Sequence, residues 1–225
     1  MIKADIYEAG GLVLAETGHR IGIPLDGNDQ ERWGQTLRRS VLCDEIIEAD
    51  PSQLSDPRVT LGHLGLDPEN HQLRQQAGLI VAACKGADEA PTIRSHFGFR
   101  ALEAIHVARL LRYSCDPDTA LNYEGQWTQL ERLSVAGQFL DSVRDASEDA
   151  ERLPQFNARQ LAYGGLWRAV KVGAQVRPET WKAFTATMRE HGFTLRMRHL
   201  VKRSLSVDLD KMLQTTLPKE GSPNE

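Results

Sequence analysis

Hydrophobic positions along the chain recur at two different periods. Over the first 26 residues the apolar runs Leu12 to Leu14 and Ile21 to Ile23 are short and β-capable; Gly10-Gly11 precedes them and Thr17-Gly18 separates them, which predicts an N-terminal β-hairpin. From Asn28 the spacing becomes helical. Trp33, Leu37 and Val41, joined by Leu42 and Ile46, fall on one face, Asn28 and Glu31 have the spacing of a capping box, and Asp50-Pro51 supplies a stop. A second helix is signalled by Asp67 as cap, Pro68 at the first helical position and Gly86 at the end, with Leu73, Ala77, Ile80, Val81 and Cys84 as its apolar face. Its run GLIVAAC is short enough to be a buried strand, and the cap favours the helix.

Further helices are predicted over Gly98 to Tyr113, from Asp116-Pro117 to about Ala146 with Gly125 and Gly137 as points of bending or division, over Asn157 to Val172, over Pro178 to His191 with Gly192 as stop, and from Thr194 to about Leu213. The acidic stretch SEDAERLP, Ser147 to Pro154, predicts a break between two lobes, and Thr215 to Glu225 reads as a loose tail. RWGQTLRRSV (Arg32 to Val41) and QWTQLERLSV (Gln126 to Val135) echo one another, but two copies of an amphipathic helix do not make a repeat architecture. The expectation is a mainly α protein, a helical bundle of about six to eight helices with a short N-terminal β-hairpin. Its parts are the hairpin region 1–26, an acidic helical lobe 27–150, a basic helical lobe 151–214 and a flexible tail 215–225.

Composition leaves that picture in place and narrows the class. Of 225 residues, 40% are hydrophobic and 26% charged, ordinary globular values that argue against wholesale disorder, collagen-like repeats and a coiled coil. Cys43, Cys84 and Cys115 are odd in number and widely spaced, which fits a reducing compartment better than a disulfide framework. The opening residues lack the pattern of a secretory signal and no apolar run approaches the length of a membrane span, so the expected location is the cytoplasm, without membrane contact.

Charge changes the picture more. The net charge of −4 conceals a segregation: residues 1–154 carry 15 Lys and Arg against 25 Asp and Glu, residues 155–203 carry 10 against 2, and residues 204–225 carry 2 against 4. A basic block between acidic neighbours points to a partner-facing surface. Its densest part is LRMRHLVKRS, Leu195 to Ser204. At about 100° per residue, Met197, Leu200, Val201 and Leu205 share one arc while Arg196, Arg198, His199, Lys202 and Arg203 fill the other, and no acidic residue between Leu195 and Val207 interrupts the cationic side. Arg159, Arg168, Lys171, Arg177, Lys182 and Arg189 precede it, interleaved with Tyr163, Trp167 and Trp181. Helical spacing assigns both tryptophans mainly to the core.

This composition predicts a non-enzymatic nucleic-acid-binding protein, a regulator or a subunit of a larger nucleoprotein complex. Arg168, Lys171, Lys182, Arg189, Arg196, Arg198, His199, Lys202 and Arg203 are its candidate contacts to the DNA or RNA backbone. Two other readings stand beside it: a protein-interaction module that docks the basic face on an acidic partner or on the acidic lobe of a second copy, and a plain solvated face. A helix-turn-helix spanning Pro178 to Leu205, turning at Gly192, is a weaker variant of the first.

Enzymatic signals are sparse. The seven histidines form no zinc pattern, no nucleophile elbow, phosphate-binding loop or dinucleotide fingerprint is present, and neither catalytic residues nor a metal or other cofactor is assigned. Adjacent acids such as Asp44-Glu45 and Glu148-Asp149 read as solvated. Arg100 and His106 have a spacing that resembles the Arg-x(4–6)-His motif of HEPN ribonucleases, which would make RNA cleavage the enzymatic alternative. Six residues turn a helix by about 240°, however, so the two side chains would not share a face. In general character the chain is similar to the small helical accessory subunits of prokaryotic defence and mobile-element systems, including antiviral CRISPR complexes, a similarity that transfers no residues.

Overall fold

In the computed structural model, which describes residues 3–49 and 54–192, there are ten helices and no strand among the described residues. They are α1 (Lys3–Arg20), α2 (Gly27–Ala49), α3 (Pro57–Leu64), α4 (His71–Asp88), α5 (Ile93–Tyr113), α6 (Pro117–Leu121), α7 (Glu124–Arg144), α8 (Ala146–Arg152), α9 (Ala158–Gly173) and α10 (Pro178–Glu190). Of the described residues 81% are helical, so the mainly α expectation holds with more and shorter helices than foreseen. The predicted final helix from Thr194, the tail, and the stop at Asp50-Pro51 lie outside the described residues.

The N-terminal β-hairpin is the principal correction. Gly10-Gly11 and Thr17-Gly18 sit inside α1. A Cβ on Gly11 would stand 2.5 Å from the backbone oxygen of Trp33, so the missing side chain lets α1 and α2 cross at backbone contact. Thr17 makes no turn: it is fully buried and its hydroxyl donates to the Val13 carbonyl one helical turn back, at 2.6 Å. The reversal comes instead at Ile21-Gly22, where Gly22 has φ of 97°, and the irregular segment that follows delivers Ile23 and Leu25 to the core. Tertiary burial of both faces of α1 produced the glycine and apolar pattern that mimics strands.

Other boundaries move for local reasons. At the start of α2 the reciprocal cap is made by Asp26 and Asp29, each backbone N–H donating to the other's carboxylate, rather than by Asn28 and Glu31. Asp67 accepts from the Glu69 N–H in a turn, and α4 starts later, with Asn70 accepting from the N–H groups of Gln72 and Leu73. Its face of Leu73, Ala77 and Cys84 is buried as the pattern required, while Gly86 lies inside the helix under the ring of Phe99. The short α3, capped by Asp56 with Pro57 at its first position, was not foreseen. The region after Asp116-Pro117 divides at Asn122-Tyr123 and at Asp145 instead of at its glycines, and the acidic stretch expected as a break is mostly α8.

Four clusters of buried side chains hold the helices together. Ala15, Trp33, Trp127 and Leu130 join α1, α2 and α7, with Trp33 and Trp127 5.9 Å apart. Leu61, Leu73, Cys84 and Leu110 join α3, α4 and α5; Phe97, Val135, Phe139 and Ala169 join α5, α7 and α9; and Ala146, Leu153, Phe156 and Leu161 close α8 on α9. Helix α5 therefore lies at the centre, between α4, α7 and α9, and α10 packs on α1.

Candidate functional site

Helix α9 carries no acidic residue and presents an aromatic and basic surface. Asn157 starts it with a capping box to Gln160. The buried side contains Leu161, Gly165 and Ala169, and a Cβ on Gly165 would meet the Phe139 oxygen at 2.7 Å, so this side of α9 lies flush on α7. That seating fixes which residues point outward. Arg159, Tyr163, Trp167, Val170 and Lys171 fall within about 120° of arc and are all exposed. Trp167, expected mainly in the core, is 60% exposed, because the stripe that α9 buries is the small-residue one. The Lys171 ammonium stands 5.1 Å from the Trp167 ring centroid and the Arg159 guanidinium 5.7 Å from that of Tyr163.

The remaining candidate contacts divide. Lys182 and Arg189 lie seven residues apart on the exposed side of α10. Arg168 turns inward, stacked 4.7 Å from the Phe97 ring centroid and donating to the Gly164 carbonyl; desolvation and the neighbouring Arg94 charge lower its pKa. Trp181 is partly buried, as its spacing predicted, with its indole N–H donating to the Gly173 carbonyl at 2.8 Å. Arg196, Arg198, His199, Lys202 and Arg203 lie outside the described residues. Where α10 meets α1, Glu190 pairs with Arg20 and His191 with Glu16.

A second feature lies inside the bundle, where α1, α2, α3, α4, α5, α7 and α8 line a cavity of about 250 Å³. Its lining combines apolar side chains, Leu37, Ile80, Val81 and Val107 among them, with charged ones. Arg100 pairs with Glu103 at 2.9 Å, each side chain only 13% exposed, and the Arg100 Nε–H is buried without an acceptor. Asp141 also lines the cavity, and its carboxylate accepts from the Tyr7 hydroxyl at 2.9 Å and from Arg144 at 2.7 Å. Burial pushes its pKa up to about 6, helped by the Asp145 charge and opposed by Arg144, Tyr7 and Arg100. Asp149, read from sequence as solvated, is buried and pairs with Arg152 at 3.2 Å. The side chains of Asp44 and Glu45 lie outside the described set.

Sequence inspection missed this polar interior because Arg100 and Glu103 have the spacing of a solvated helical pair. The available signal was their membership, with Ala104, Val107 and Leu110, of one stripe on a helix buried on several sides. His106 faces elsewhere: its ring bonds to Gln76 of α4 at 2.8 Å, and burial lowers its pKa. Arg100 and His106 thus engage different neighbours, as the 240° rotation implied. Among the described residues no group of three or more His, Cys, Asp or Glu could hold a metal ion, and no helix is long and apolar enough to cross a membrane. No family model, curated protein or solved structure matches the chain.

Proposed function

We propose that this protein acts by binding nucleic acid, with single strands preferred over duplex, and that the outward side of α9 is part of the contact surface. The observation that carries the reading is the exposure of Trp167 and Tyr163 with a cation at each ring on a helix without an acidic residue. Exposed aromatics stack on unpaired bases of any sequence, and flanking Lys and Arg neutralise the phosphates between them. Lys182 and Arg189 extend the cationic surface onto α10, and the proposed track continues through Arg196, Arg198, His199, Lys202 and Arg203. Arg168, stacked on Phe97, supports α9 from within rather than offering a free charge. A regulator or a subunit of a larger nucleoprotein assembly, of the prokaryotic defence or mobile-element kind, is the role this surface would serve.

Fluorescence anisotropy with a labelled single-stranded oligonucleotide across a salt series tests the reading. Affinity should fall steeply with salt, and Trp167→Ala should weaken binding by about 5- to 150-fold, the equivalent of one stacked base. Salt-insensitive binding, or affinity unchanged in both Trp167→Ala and the combined alanine variant of Arg196, Arg198, Lys202 and Arg203, would overturn it. Light scattering at low and high salt separates out self-association through an acidic surface.

A further inference from the structure

The interior cavity has the make-up of a small-molecule site, and it is independent of the α9 surface. Its charged lining is Glu103, Asp141, Asp145, Glu148 and Asp149 against Arg100 and Arg152. Arg144 compensates Asp141 and Asp145 from behind, which still leaves carboxylates in surplus. These groups come from three separate elements, α5, α7 with the residue that follows it, and α8, so the surplus is assembled by the fold and is not a local run of acids. The lining also offers the apolar side chains of Leu37, Ile80, Val81 and Val107 and the hydroxyls of Ser40 and Ser134. A buried hydrogen-bond donor, the Arg100 Nε–H, has no acceptor within this setting. Native proteins leave few such groups unmet, since each costs about 1–3 kcal/mol.

We propose that the cavity binds a small amphipathic amine: an ammonium group set against the carboxylates around Asp141, an apolar body between Leu37, Ile80, Val81 and Val107, and an oxygen acceptor next to the nitrogen that takes the Arg100 Nε–H. Charge complementarity selects the class. A carboxylate or phosphate ligand would gain Arg100 but would bury a further negative charge beside Glu103, Asp141 and Asp149, whereas an ammonium relieves that repulsion. A neutral apolar ligand would leave both the surplus and the unmet donor as they are. The volume limits the ligand to about the size of a single aromatic amino alcohol, below the usual range for drug-sized ligands.

Isothermal titration calorimetry on the full chain with phenylalaninol as probe, against phenylpropionic acid as the anionic control, provides the test. The amine should bind and the acid should not. Because Asp141 is half protonated near pH 6, the ammonium should displace about half a proton per site there and almost none at pH 8, measured in buffers of different ionisation enthalpy. The other ionisable groups that face it are Tyr7 on α1, Arg100 and Glu103 on α5, Arg144 at the end of α7 with Asp145 after it, and Glu148, Asp149 and Arg152 on α8. Asp141→Asn should weaken the amine tenfold or more. If that variant does not fold, Val107→Phe, which fills cavity volume from an apolar lining position and leaves the ionic groups intact, should abolish binding. Equal or tighter binding of the acid, absence of amine binding up to millimolar concentration, or amine affinity unchanged by the folded variants would overturn the proposal.

Discussion

The hydroxyl of Tyr7 donates to the Asp141 carboxylate at 2.9 Å, tying the first helix to the end of the seventh across 134 residues of chain. This bond favours the charged carboxylate against burial and the nearby Asp145. Tyr7→Phe should therefore move the Asp141 titration, seen by carboxyl-carbon NMR, upward from about 6. It should also destabilise the protein by about 1–2 kcal/mol at pH 8, where the carboxylate is fully charged. An unchanged titration would show that α1 does not reach Asp141 in solution.

His96 predicts an opposite pH trend. Its ring is fully buried between Phe97 and Phe156, the Nδ1–H donates to the Ala87 carbonyl at 2.9 Å, and desolvation, reinforced by the Arg100 charge, lowers its pKa. The folded state resists the proton that the unfolded chain accepts near pH 6.5, so the contribution of His96 is present above that pH and is lost as pH falls below it. Urea denaturation at pH 7.5 and 5.5 should show a smaller loss of stability on acidification in His96→Leu than in the unaltered protein, even though the variant is weaker at both.

Two neighbouring glycines separate helix propensity from helix packing. Gly10 has nothing within 4 Å of the place a Cβ would take, whereas at Gly11 the backbone of Trp33 occupies it. Gly10→Ala should be neutral or raise stability by about 0.5–1 kcal/mol, and Gly11→Ala should lower it by about 1–3 kcal/mol through forced separation of α1 and α2. Thermal melts of the pair suffice, and equal effects would contradict the crossing.

The tryptophans give a matched contrast of burial. Trp33 is 2% exposed and packs on Trp127, so Trp33→Ala should cost about 3–5 kcal/mol, while Trp167→Ala should stay within about 0.5 kcal/mol. A stability cost for Trp167→Ala comparable to that of Trp33→Ala would mean that α9 buries the face assigned here to solvent.

Much of the helical plan was legible in the linear sequence, because capping residues and 3.6-residue spacing act locally. Asn157 caps α9 by a reciprocal bond, Asp116-Pro117 opens α6, Pro178 opens α10, and Leu73, Ala77 and Cys84 face inward as their spacing requires, whereas α5 starts at Ile93, capped by Thr92, five residues before the Gly98 expected. The hairpin expectation failed where a helix is covered on more than one side: α1 meets α2, α7 and α10, so its apolar residues do not confine themselves to one stripe, and its glycines serve close approach rather than turning.

Sequence by itself determined the helical class, the starts of α2, α6, α9 and α10 and the segregation of charge, since each follows from neighbours a few positions apart. Only the tertiary structure decided that α9 buries its small side, leaving Trp167 and Lys171 outside. It alone brought Tyr7, Arg100 and Asp141 around one cavity. Helical periodicity defines a face without saying what will cover it; that depends on which helix backbones can approach and on which buried charges find partners from distant parts of the chain.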